Sequence, residues 1–431
     1  MENEQESKLK ALAYNKKGKI EVKFTKEINN KEDLSLAYTP GVAEACKEIK
    51  KNPDAVYEYT SKWNSVAVVT DGTAVLGLGD IGPLASIPVM EGKAVLFKRF
   101  ANIDAWPVAF DNVRLDGRSG KTDVEKFVNA AIAIAPQYGG INLEDIAAPA
   151  CFEIEARLKQ ELDIPVFHDD QHGTAIVVLA AIKNYLIIAE KNIGDIRIVI
   201  LGAGAAGLSI ARLLRNSGAK EILICDSKGV IHSGRNDLNQ WKKEFAVETE
   251  ARTSAEVFAG ADVFIGVSQP GIVTQDMIRS MNDNPAVFPM SNPVPEILPE
   301  KVIGCRNDAI ICTGRSDYPN QLNNVLAFPF VFRGALDTRA SDITEEMKIA
   351  AANAIAGLAK TKVPAEVLDS YGLDKLEFGR DYIIPKPFDS RLLAKVSAAV
   401  AEAAVKSGVA GKEINLKEYE SKLRKSKTPS Q

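Results

Sequence analysis

Two pairs of adjacent carboxylates, Glu144-Asp145 and Asp169-Asp170, are the side chains best suited to binding a metal ion. Carboxylate oxygens are the donors that Mg²⁺ and Mn²⁺ prefer in proteins. The second pair leaves the end of an apolar run at 165–167 and precedes a predicted helix, which is where α/β sheets place their ligands. The sequence therefore predicts a site for a hard divalent cation.

Other interpretations of these polar residues stay open. Asn142, followed by Glu144 and Asp145, also fits the start of a helix, where the Asn caps the backbone and the acids complement the helix dipole. His168 and His172 flank the second acidic pair, but a site this acidic gives no advantage to softer metals. We expect the two histidines to have structural roles rather than to bind metal.

A glycine-rich segment predicts a dinucleotide-binding site. Gly202-Ala203-Gly204-Ala205-Ala206-Gly207 follows a predicted strand and opens a predicted helix, which is the context that this pattern requires. The first glycine permits the tight turn, the second lets pyrophosphate approach the backbone, and the third lets helix and strand pack closely. The unpaired N–H groups at the helix start would face the phosphates. A glycine turn without a ligand is the alternative.

The residues after the glycine-rich segment bear on which dinucleotide is bound. Asp226 ends the next predicted strand, nineteen residues after Gly207, where an acid accepts a hydrogen bond from the ribose 2′-OH of NAD. This position favours NAD. Lys228 follows two residues later and offers a charge for the 2′-phosphate of NADP, so both cofactors stay open.

The chain contains a second copy of the glycine pattern, from Gly77 to Gly82. Pro83 and Pro88 follow it, and proline within a helix removes a hydrogen-bond donor and clashes with the preceding turn. We therefore predict that this copy forms a loop and binds no dinucleotide.

Tyr38 and Lys93 are candidate acid and base groups. Tyr38 precedes Pro40-Gly41, a pair typical of a turn, so a tyrosine packed on a turn is the alternative interpretation. Lys93 stands at the head of a strand predicted over 93–97, where a lysine is usually solvated; Lys98 and Arg99 at the strand's end are weaker candidates.

An α/β framework must position these groups. Strands are predicted at 65–70, 93–97, 165–167, 197–201, 221–225, 262–267, 286–290 and 310–312. Helices are predicted at 123–135, 174–190, 208–214 and 344–359. From residue 197 onward the strands have the spacing of a parallel, doubly wound sheet. The polar segment from Lys406 is predicted to be frayed.

Composition excludes several classes of protein. The 431 residues exceed one ordinary core and predict two domains. A net charge of −4 offers no basic field for nucleic acid or anionic lipid. The five cysteines lack paired spacing and indicate reduced thiols, and no apolar run predicts export or membrane insertion. We expect a cytoplasmic enzyme.

Taken in order, the motifs resemble those of the malic enzyme family in its short prokaryotic-type form. They are YTPGV, VVTDG, LGLGDIG, the Gly-Lys after PVME, LEDI, FHDDQHGTA, LGAGAAG, SNP and Asn323-Asn324. The resemblance extends from about Tyr14 to Ala359. It implies an N-terminal α/β malic enzyme domain and a Rossmann-type NAD(P)-binding domain with a doubly wound parallel sheet, which we place at 1–165 and 166–405, followed by a polar tail at 406–431.

The resemblance also implies roles for individual residues. Lys93 would be the general base and Tyr38 the general acid, with Asp169 orienting the lysine. Glu144, Asp145 and Asp170 would bind Mg²⁺ or Mn²⁺, whereas Asn292, Asn323 and Asn324 would hold the substrate carboxylate or the nicotinamide region. Longer eukaryotic-type relatives carry an arginine where this chain has Ala74, so the group that binds the C1 carboxylate is not identified.

The implied reaction is the metal-dependent oxidative decarboxylation of malate to pyruvate and CO₂ with reduction of NAD or NADP. A redox-neutral lyase that converts malate to lactate, a plain oxaloacetate decarboxylase and an inactive dinucleotide sensor are the alternatives. We expect a homodimer or larger homo-oligomer. Whether Tyr38 acts in its own subunit or across the interface is open.

Overall fold

Two parallel sheets organise the chain. In this computed structural model the described residues are 2–75, 77–117 and 119–426. The strands of the first sheet have the order β2-β1-β5-β6 and are all parallel. The bounds are Ser65–Thr70 (β1), Asp104–Ala109 (β2), Gly140–Leu143 (β5) and Val166–His168 (β6), with a separate antiparallel pair at Arg114–Asp116 (β3) and Ser119–Thr122 (β4).

The second sheet has the order β12-β11-β10-β7-β8-β9. It is parallel except for β9, which pairs antiparallel with β8. The bounds are Arg197–Leu201 (β7), Glu221–Asp226 (β8), Gly229–Val230 (β9), Val263–Gly266 (β10), Ala286–Pro289 (β11) and Ile310–Ile311 (β12). The strand order reverses between β7 and β10, which is where doubly wound sheets bind ligands. The predicted fold class is thereby confirmed.

Helices surround both sheets. Those before the second sheet are Glu2–Asn15 (α1), Lys31–Ala37 (α2), Val42–Lys51 (α3), Val56–Tyr59 (α4), Gly82–Ala101 (α5), Val124–Ile134 (α6), Ala150–Glu161 (α7) and Asp169–Ala189 (α8). The others are Ala205–Asn216 (α9), Gln240–Lys243 (α10), Ser254–Phe258 (α11), Gln275–Arg279 (α12), Pro299–Ile303 (α13), Phe328–Asp337 (α14), Glu345–Ala359 (α15), Ala365–Tyr371 (α16), Arg391–Lys406 (α17) and Leu416–Lys425 (α18).

The strand predicted over 93–97 was wrong, because Gly82–Ala101 is helix α5, whereas residues 77–81 before it form a loop, as predicted. Pro83 occupies the first helical turn, where a backbone N–H has no partner within the helix. Pro88 lies inside the helix, at the cost of one helical hydrogen bond. The helix buries residues spaced by four, three and four positions, and this helical period outweighs the proline; these are Met90, Ala94, Phe97 and Ala101.

Helix α8 joins the two sheets and is longer than predicted, since it begins at Asp169 and not at residue 174. Of the described helices, it is the one long and apolar enough to cross a membrane, but most of it is buried within the fold. Its residues 175–182 are fully or almost fully covered. The apolar character of α8 is therefore that of a core helix.

Two boundaries differ from the sequence interpretation or extend it. The first sheet includes the three-residue strand β6, which directly follows the domain boundary predicted at residue 165. The boundary itself stays a prediction. The segment after Lys406 is not entirely frayed, because α18 packs on α17 and Leu423 is buried. Residues 427–431 of the predicted tail lie outside the described residues.

Candidate active site

The carboxyl ends of β5 and β6 meet at one edge of the first sheet. Leu143 and His168 are register partners in these parallel strands, so the residues that follow each strand emerge side by side. Glu144 and Asp145 follow β5, and Asp169 and Asp170 open α8. The sheet thereby brings together acids that lie 24 to 26 positions apart in the sequence.

Three of these acids form a compact group. Carboxylate oxygens of Glu144, Asp145 and Asp170 lie within 4.8 Å of one another. The backbone N–H of Asp145 donates a hydrogen bond of 2.8 Å to Asp170 Oδ2, which fixes the two loops together. Burial raises the pKa of Glu144 well above its ordinary value; Lys93 opposes the shift, and the neighbouring acids add to it. An all-oxygen set with this excess of negative charge fits Mg²⁺ or Mn²⁺.

Lys93 extends from α5 into the same group. Its ammonium lies 2.6 Å from Asp169 Oδ2 and 2.8 Å from Glu144 Oε1, and it lies over the ring of Phe328 at 4.3 Å from the centroid. Burial disfavours the charged lysine, but the two carboxylates outweigh burial and hold the pKa of Lys93 above its ordinary value. In this arrangement Lys93 is a protonated ammonium held at a fixed point.

Neighbouring amides orient the acids, and the sequence interpretation missed one of them. Asn142 Nδ2 donates a hydrogen bond of 2.9 Å to Glu144 Oε2. The two residues are two positions apart at the end of a strand, where side chains alternate, so this contact was readable from the sequence. Asn324 Nδ2 lies 3.2 Å from Asp169 Oδ2, and Asn324 Oδ1 accepts from Thr174 Oγ1. Asn142 therefore orients a carboxylate of the acidic group and does not cap a helix.

A buried polar network holds the first turn of α8. Glu155 on α7 accepts hydrogen bonds from the backbone N–H of His168, at 3.1 Å, and from His172 Nε2, at 2.8 Å from both carboxylate oxygens. Lys348 on α15 contacts His172 Nδ1 at 3.1 Å. His168 itself is fully buried, 3.8 Å from Asp170. Both histidines have structural surroundings, as expected, and the sequence interpretation did not identify Glu155 or Lys348.

The glycine-rich segment has the predicted strand-turn-helix form. Gly202 has φ +116°, and a Cβ there would lie 2.4 Å from the carbonyl oxygen of Val267. A Cβ on Gly207 would overlap the carbonyl oxygen of Gly202 at 1.8 Å. By contrast, a Cβ on Gly204 would meet nothing within 4 Å. The first and third glycines are thus required for packing, while open space beside Gly204 leaves room for a ligand to approach the start of α9.

The first turns of α8 and α9 are neighbours. Ser209 Oγ on α9 donates a hydrogen bond of 3.2 Å to Gln171 Oε1 on α8. Gln171 follows Asp169 and Asp170, and Ser209 follows the glycine-rich turn. The acidic group and the dinucleotide-type turn therefore lie at the starts of two helices that contact each other.

The carboxylate of Asp226 is fully engaged within the protein. Arg235 donates to both of its oxygens, at 2.8 and 3.0 Å, and Lys242 Nζ donates to Oδ2 at 2.6 Å. The backbone N–H of Lys228 donates to Oδ1. Burial opposes ionisation, but these donors outweigh it and lower the pKa of Asp226 to about 2. Cationic side chains therefore surround the position where the sequence predicted a free acceptor.

The loop that contains the second glycine copy faces the SNP motif. A Cβ on Gly77 would lie 3.3 Å from Pro293 and 3.4 Å from the carbonyl oxygen of Asn292. The backbone N–H of Ala74 donates to the carbonyl of Asp145 at 2.9 Å, so this loop also borders the acidic group. Asn323 lies before a short 3₁₀ turn, and its Oδ1 accepts a hydrogen bond from the N–H of Val325.

Tyr38 lies apart from this group in the described residues. It ends α2, is 71% exposed, and has no contact with Lys93 or the acids. Gly41, after the predicted turn, has φ −61° and starts α3, where a Cβ would lie 2.7 Å from the carbonyl oxygen of Ser35. One chain by itself therefore assembles the candidate base and metal ligands but not the candidate acid.

The geometry can be compared with known families. Residues 17–159 match the family model described as the malic enzyme N-terminal domain, and residues 171–369 match the malic enzyme NAD binding domain. The first match ends after β5, and the second begins within the first turn of α8. Together they contain Lys93, Glu144, Asp145 and the glycine-rich turn, while Asp169 and Asp170 lie in the gap between the two matches.

Individual relatives cover nearly the whole chain. It is 55% identical to the NADP-dependent malic enzyme of Halomonas elongata over 93% of this chain and 94% of the relative. It is 51% identical to the bifunctional malic/malolactic enzyme of Bacillus subtilis over 95% of both chains. The crystal structure of malic enzyme from Pyrococcus horikoshii matches with a TM-score of 0.87 and 43% identity, covering 97% of this chain and 95% of that one. The chain spans about half the length of other curated relatives, such as 52% of the NADP-dependent malic enzyme of Escherichia coli.

Proposed function

Because the chain belongs to the malic enzyme family, we propose that it catalyses the oxidative decarboxylation of (S)-malate to pyruvate and CO₂ with reduction of NADP. One observation carries the proposal: Lys93 meets Glu144 and Asp169 next to a three-carboxylate group, beside the first turn of the dinucleotide-type helix. A base, a cation site and a hydride acceptor are the three components that this reaction requires.

Glu144, Asp145 and Asp170 are proposed to hold the divalent cation. Their compact all-oxygen geometry supports this assignment, and so does their combined negative charge, which the ammonium of Lys93 offsets only in part. The cation, Mg²⁺ or Mn²⁺, would supply a Lewis acid for the decarboxylation and reduce the negative charge that Lys93 experiences.

Lys93 is proposed to accept the proton of the C2 hydroxyl while hydride leaves C2 for the nicotinamide. Asp169 and the face of Phe328 hold the amine at one point. The base therefore has a fixed position relative to a hydroxyl group bound beside it. Oxaloacetate results, and cleavage of the C3–C4 bond then releases CO₂. The electron pair of that bond stays on the pyruvate enol, which needs a proton at C3.

Tyr38 is proposed to donate this proton across a dimer interface. The N-terminal segment exposes a series of apolar side chains, a pattern typical of a surface that binds another protein. They are Leu9, Leu12, Ile20, Val22, Phe24, Ile28, Leu34, Leu36 and Val42. Lys19 ties the segment to α5, since its N–H donates to Glu91, two residues before Lys93. A second copy is the occupant that would both cover this surface and bring an exposed tyrosine to an active site.

Amide groups are proposed to bind the substrate carboxylates in place of an arginine at position 74. Asn324 contacts Asp169 directly, and Asn292 borders the loop that contains Ala74. Arg114 is the buried guanidinium near this loop, but it is committed to Asp80 through two hydrogen bonds. The role of Asn323 stays a prediction that rests on the family resemblance.

NADP is proposed as the preferred cofactor, although the sequence position of Asp226 alone favours NAD. A carboxylate already bound by Arg235 and Lys242 is a poor acceptor for a ribose hydroxyl, whereas the surrounding cations suit a 2′-phosphate. Lys228 and Lys242 are the candidate phosphate ligands. The Halomonas relative, named as NADP-dependent, agrees with this preference.

The test is an assay of malate turnover with NADP or NAD and Mn²⁺, in which reduced cofactor, pyruvate and lactate are measured together. Reduced cofactor formed one for one with pyruvate, only when the metal is present, is the expected result. Lactate without net reduced cofactor would instead establish a malolactic activity, the second candidate, which the name of the Bacillus relative favours. No turnover with either cofactor would refute the proposal. The cytoplasmic location stays a prediction, with which five free cysteines are consistent.

A further inference from the structure

A cavity lies away from the candidate active site, among the C-terminal helices. It has a volume of about 890 Å³, within the range of small-molecule sites. Its walls come from the end of α5, from α14 and α15, and from the facing parts of α17 and α18. None of the residues assigned above to the metal, substrate or dinucleotide lines it.

The cavity is strongly cationic although the chain carries a net negative charge. Five basic side chains line it against a single acid, Asp389. The basic residues are Arg99, Lys362, Arg391, Lys395 and Arg424. Arg391 neutralises Asp389 through two hydrogen bonds of 2.8 and 2.6 Å, and the Asp389 carboxylate is fully covered. The acid therefore holds Arg391 in place and does not offset the remaining charge.

Three of the cations provide a net positive charge, although two of them share one acid. Lys395 and Arg424 both contact one carboxylate, that of Glu420, so the pair keeps an excess positive charge. The side chain of Lys362 is exposed, and only its backbone carbonyl takes part in the network, as an acceptor from Arg391 at 2.8 Å. Two or more phosphates are the kind of anion that such a spread of charges binds.

The floor of the cavity is aromatic and apolar. Phe388 is 50% exposed, and its ring lies 5.5 Å from that of Phe100. The Arg99 guanidinium lies over the ring of Phe100, 5.8 Å from its centroid. An exposed ring beside a cationic wall favours a ligand that has both a flat base and phosphate groups.

We propose that this cavity binds a phosphorylated adenosine as a regulator of the enzyme. Phe388 stacks on the base, and Lys362, Lys395 and Arg424 contact the phosphates. Two elements connect the cavity to catalysis: α5 carries both Lys93 and Arg99, six residues apart, and α14 carries Phe330 in the cavity and Phe328 under the Lys93 ammonium. A ligand that displaces either element changes the position of the base.

Calorimetric titration with ADP tests the binding site. Wild type is expected to show two independent sites per chain. Gly204→Asp, which has space for its side chain but places a charge where pyrophosphate approaches, should keep only the new site. The double variant Lys362→Glu/Lys395→Gln should keep only the dinucleotide site, with at least about a tenfold loss of affinity at the other. Lys406→Gln is the matched control, because Lys406 also lies on α17 in an exposed ion pair but outside the cavity.

Further titrations define the ligand. Adenosine without phosphate should not bind the cavity, and tripolyphosphate should bind more weakly than ADP. Coenzyme A is titrated in parallel because it contains the same phosphorylated adenosine. Whichever of ADP and coenzyme A binds more tightly identifies the class of molecule that this cavity binds. Equal numbers of ADP sites in wild type and in the double variant would overturn the proposal. ADP binding by a chain truncated after Ser426, but not by the full chain, would also overturn the proposal. The chain's own C-terminus would then be the occupant of the cavity.

The regulatory part rests on the proposed function and is measured separately. The bound ligand is expected to change kcat or the KM for malate at least about twofold in wild type and in Lys406→Gln, but not in the double variant. Unchanged kinetics with intact binding would overturn regulation alone. Absence of malate turnover without any ligand would instead contradict the proposed function, while the titrations would still report on the cavity.

Discussion

The ammonium of Lys93 lies 2.6 Å from the carboxylate of Asp169, although the two residues are 76 positions apart on different helices. This contact joins the helix that follows β1 to the helix that follows β6. The contact lies at the carboxyl edge of the first sheet, where Asp169 directly follows β6.

Removal of Lys93 should separate chemistry from binding. We expect Lys93→Ala to lower kcat for malate oxidation by about a thousandfold, the contribution of a positioned general base. The dissociation constant for NADP should stay the same, because the dinucleotide turn is formed by other elements. Fluorescence titration of NADPH and initial rates measure the two quantities. Lys98→Ala is the control, since Lys98 is on the same helix in an exposed ion pair. Wild-type turnover in Lys93→Ala would show that Lys93 is not the base.

Asp170 should be required for the response to metal. Asp170→Asn keeps the shape of the side chain but removes one charge from the three-carboxylate group, so we expect the Mn²⁺ concentration for half-maximal activity to rise at least about tenfold. Activity measured over a range of Mn²⁺ after chelation gives this value. Asp163→Asn, at an exposed position before β6, should behave as wild type. A normal metal response in Asp170→Asn would contradict the assignment.

The sequence was informative where function depends on local pattern. The glycine-rich turn was predicted correctly because its three glycines act within one strand-turn-helix unit, and the structure gives a packing reason for Gly202 and Gly207. Asp169 and Asp170 were singled out for a similar reason, since they leave the end of a predicted apolar strand, whereas β5, the strand before Glu144 and Asp145, was not predicted.

Tertiary contacts explain what the sequence interpretation missed. Lys93 was assigned to a strand because a short apolar run follows it, but in the structure this run belongs to the buried face of α5, which tolerates Pro83 and Pro88. Asp226 was interpreted as a free acceptor because its cationic partners, Arg235 and Lys242, follow it by 9 and 16 positions in an irregular segment. No local pattern predicts that such side chains return to the end of β8.

Cofactor preference should depend on Lys242. We expect Lys242→Ala to raise the KM for NADP about tenfold, with little change or a decrease in the KM for NAD, because the substitution removes a phosphate ligand and frees one oxygen of Asp226. Initial rates with both cofactors give the ratio. Lys243→Ala is the matched control on the same short helix, with an exposed side chain. An equal rise in both KM values would show that Lys242 does not read the 2′-phosphate.

The Glu155–His172 pair should affect stability between about pH 6.5 and pH 4. Burial, only partly opposed by Glu155, lowers the pKa of His172 from 6.5 to about 4. In this window the unfolded chain binds a proton that the folded chain does not, so stability decreases as the pH falls, by up to about 1.4 kcal/mol per pH unit for one proton. The urea midpoint of wild type should therefore fall more steeply than that of His172→Gln. Parallel curves for the two proteins would contradict a buried neutral histidine.

Tyr38 and Lys93 should act in one active site from different subunits. Lys93→Ala and Tyr38→Phe homodimers are each expected to be nearly inactive. When equal amounts are dissociated and reassembled, half of the dimers are hybrids, and each hybrid has one site with an intact Lys93 and the partner's intact tyrosine. The mixture should regain about a quarter of wild-type activity if the dimer is a symmetric twofold. If Tyr38 served its own subunit, both sites of every hybrid would carry a defect and no activity would return. The exposed position of Tyr38, away from Lys93 in its own chain, favours the first result.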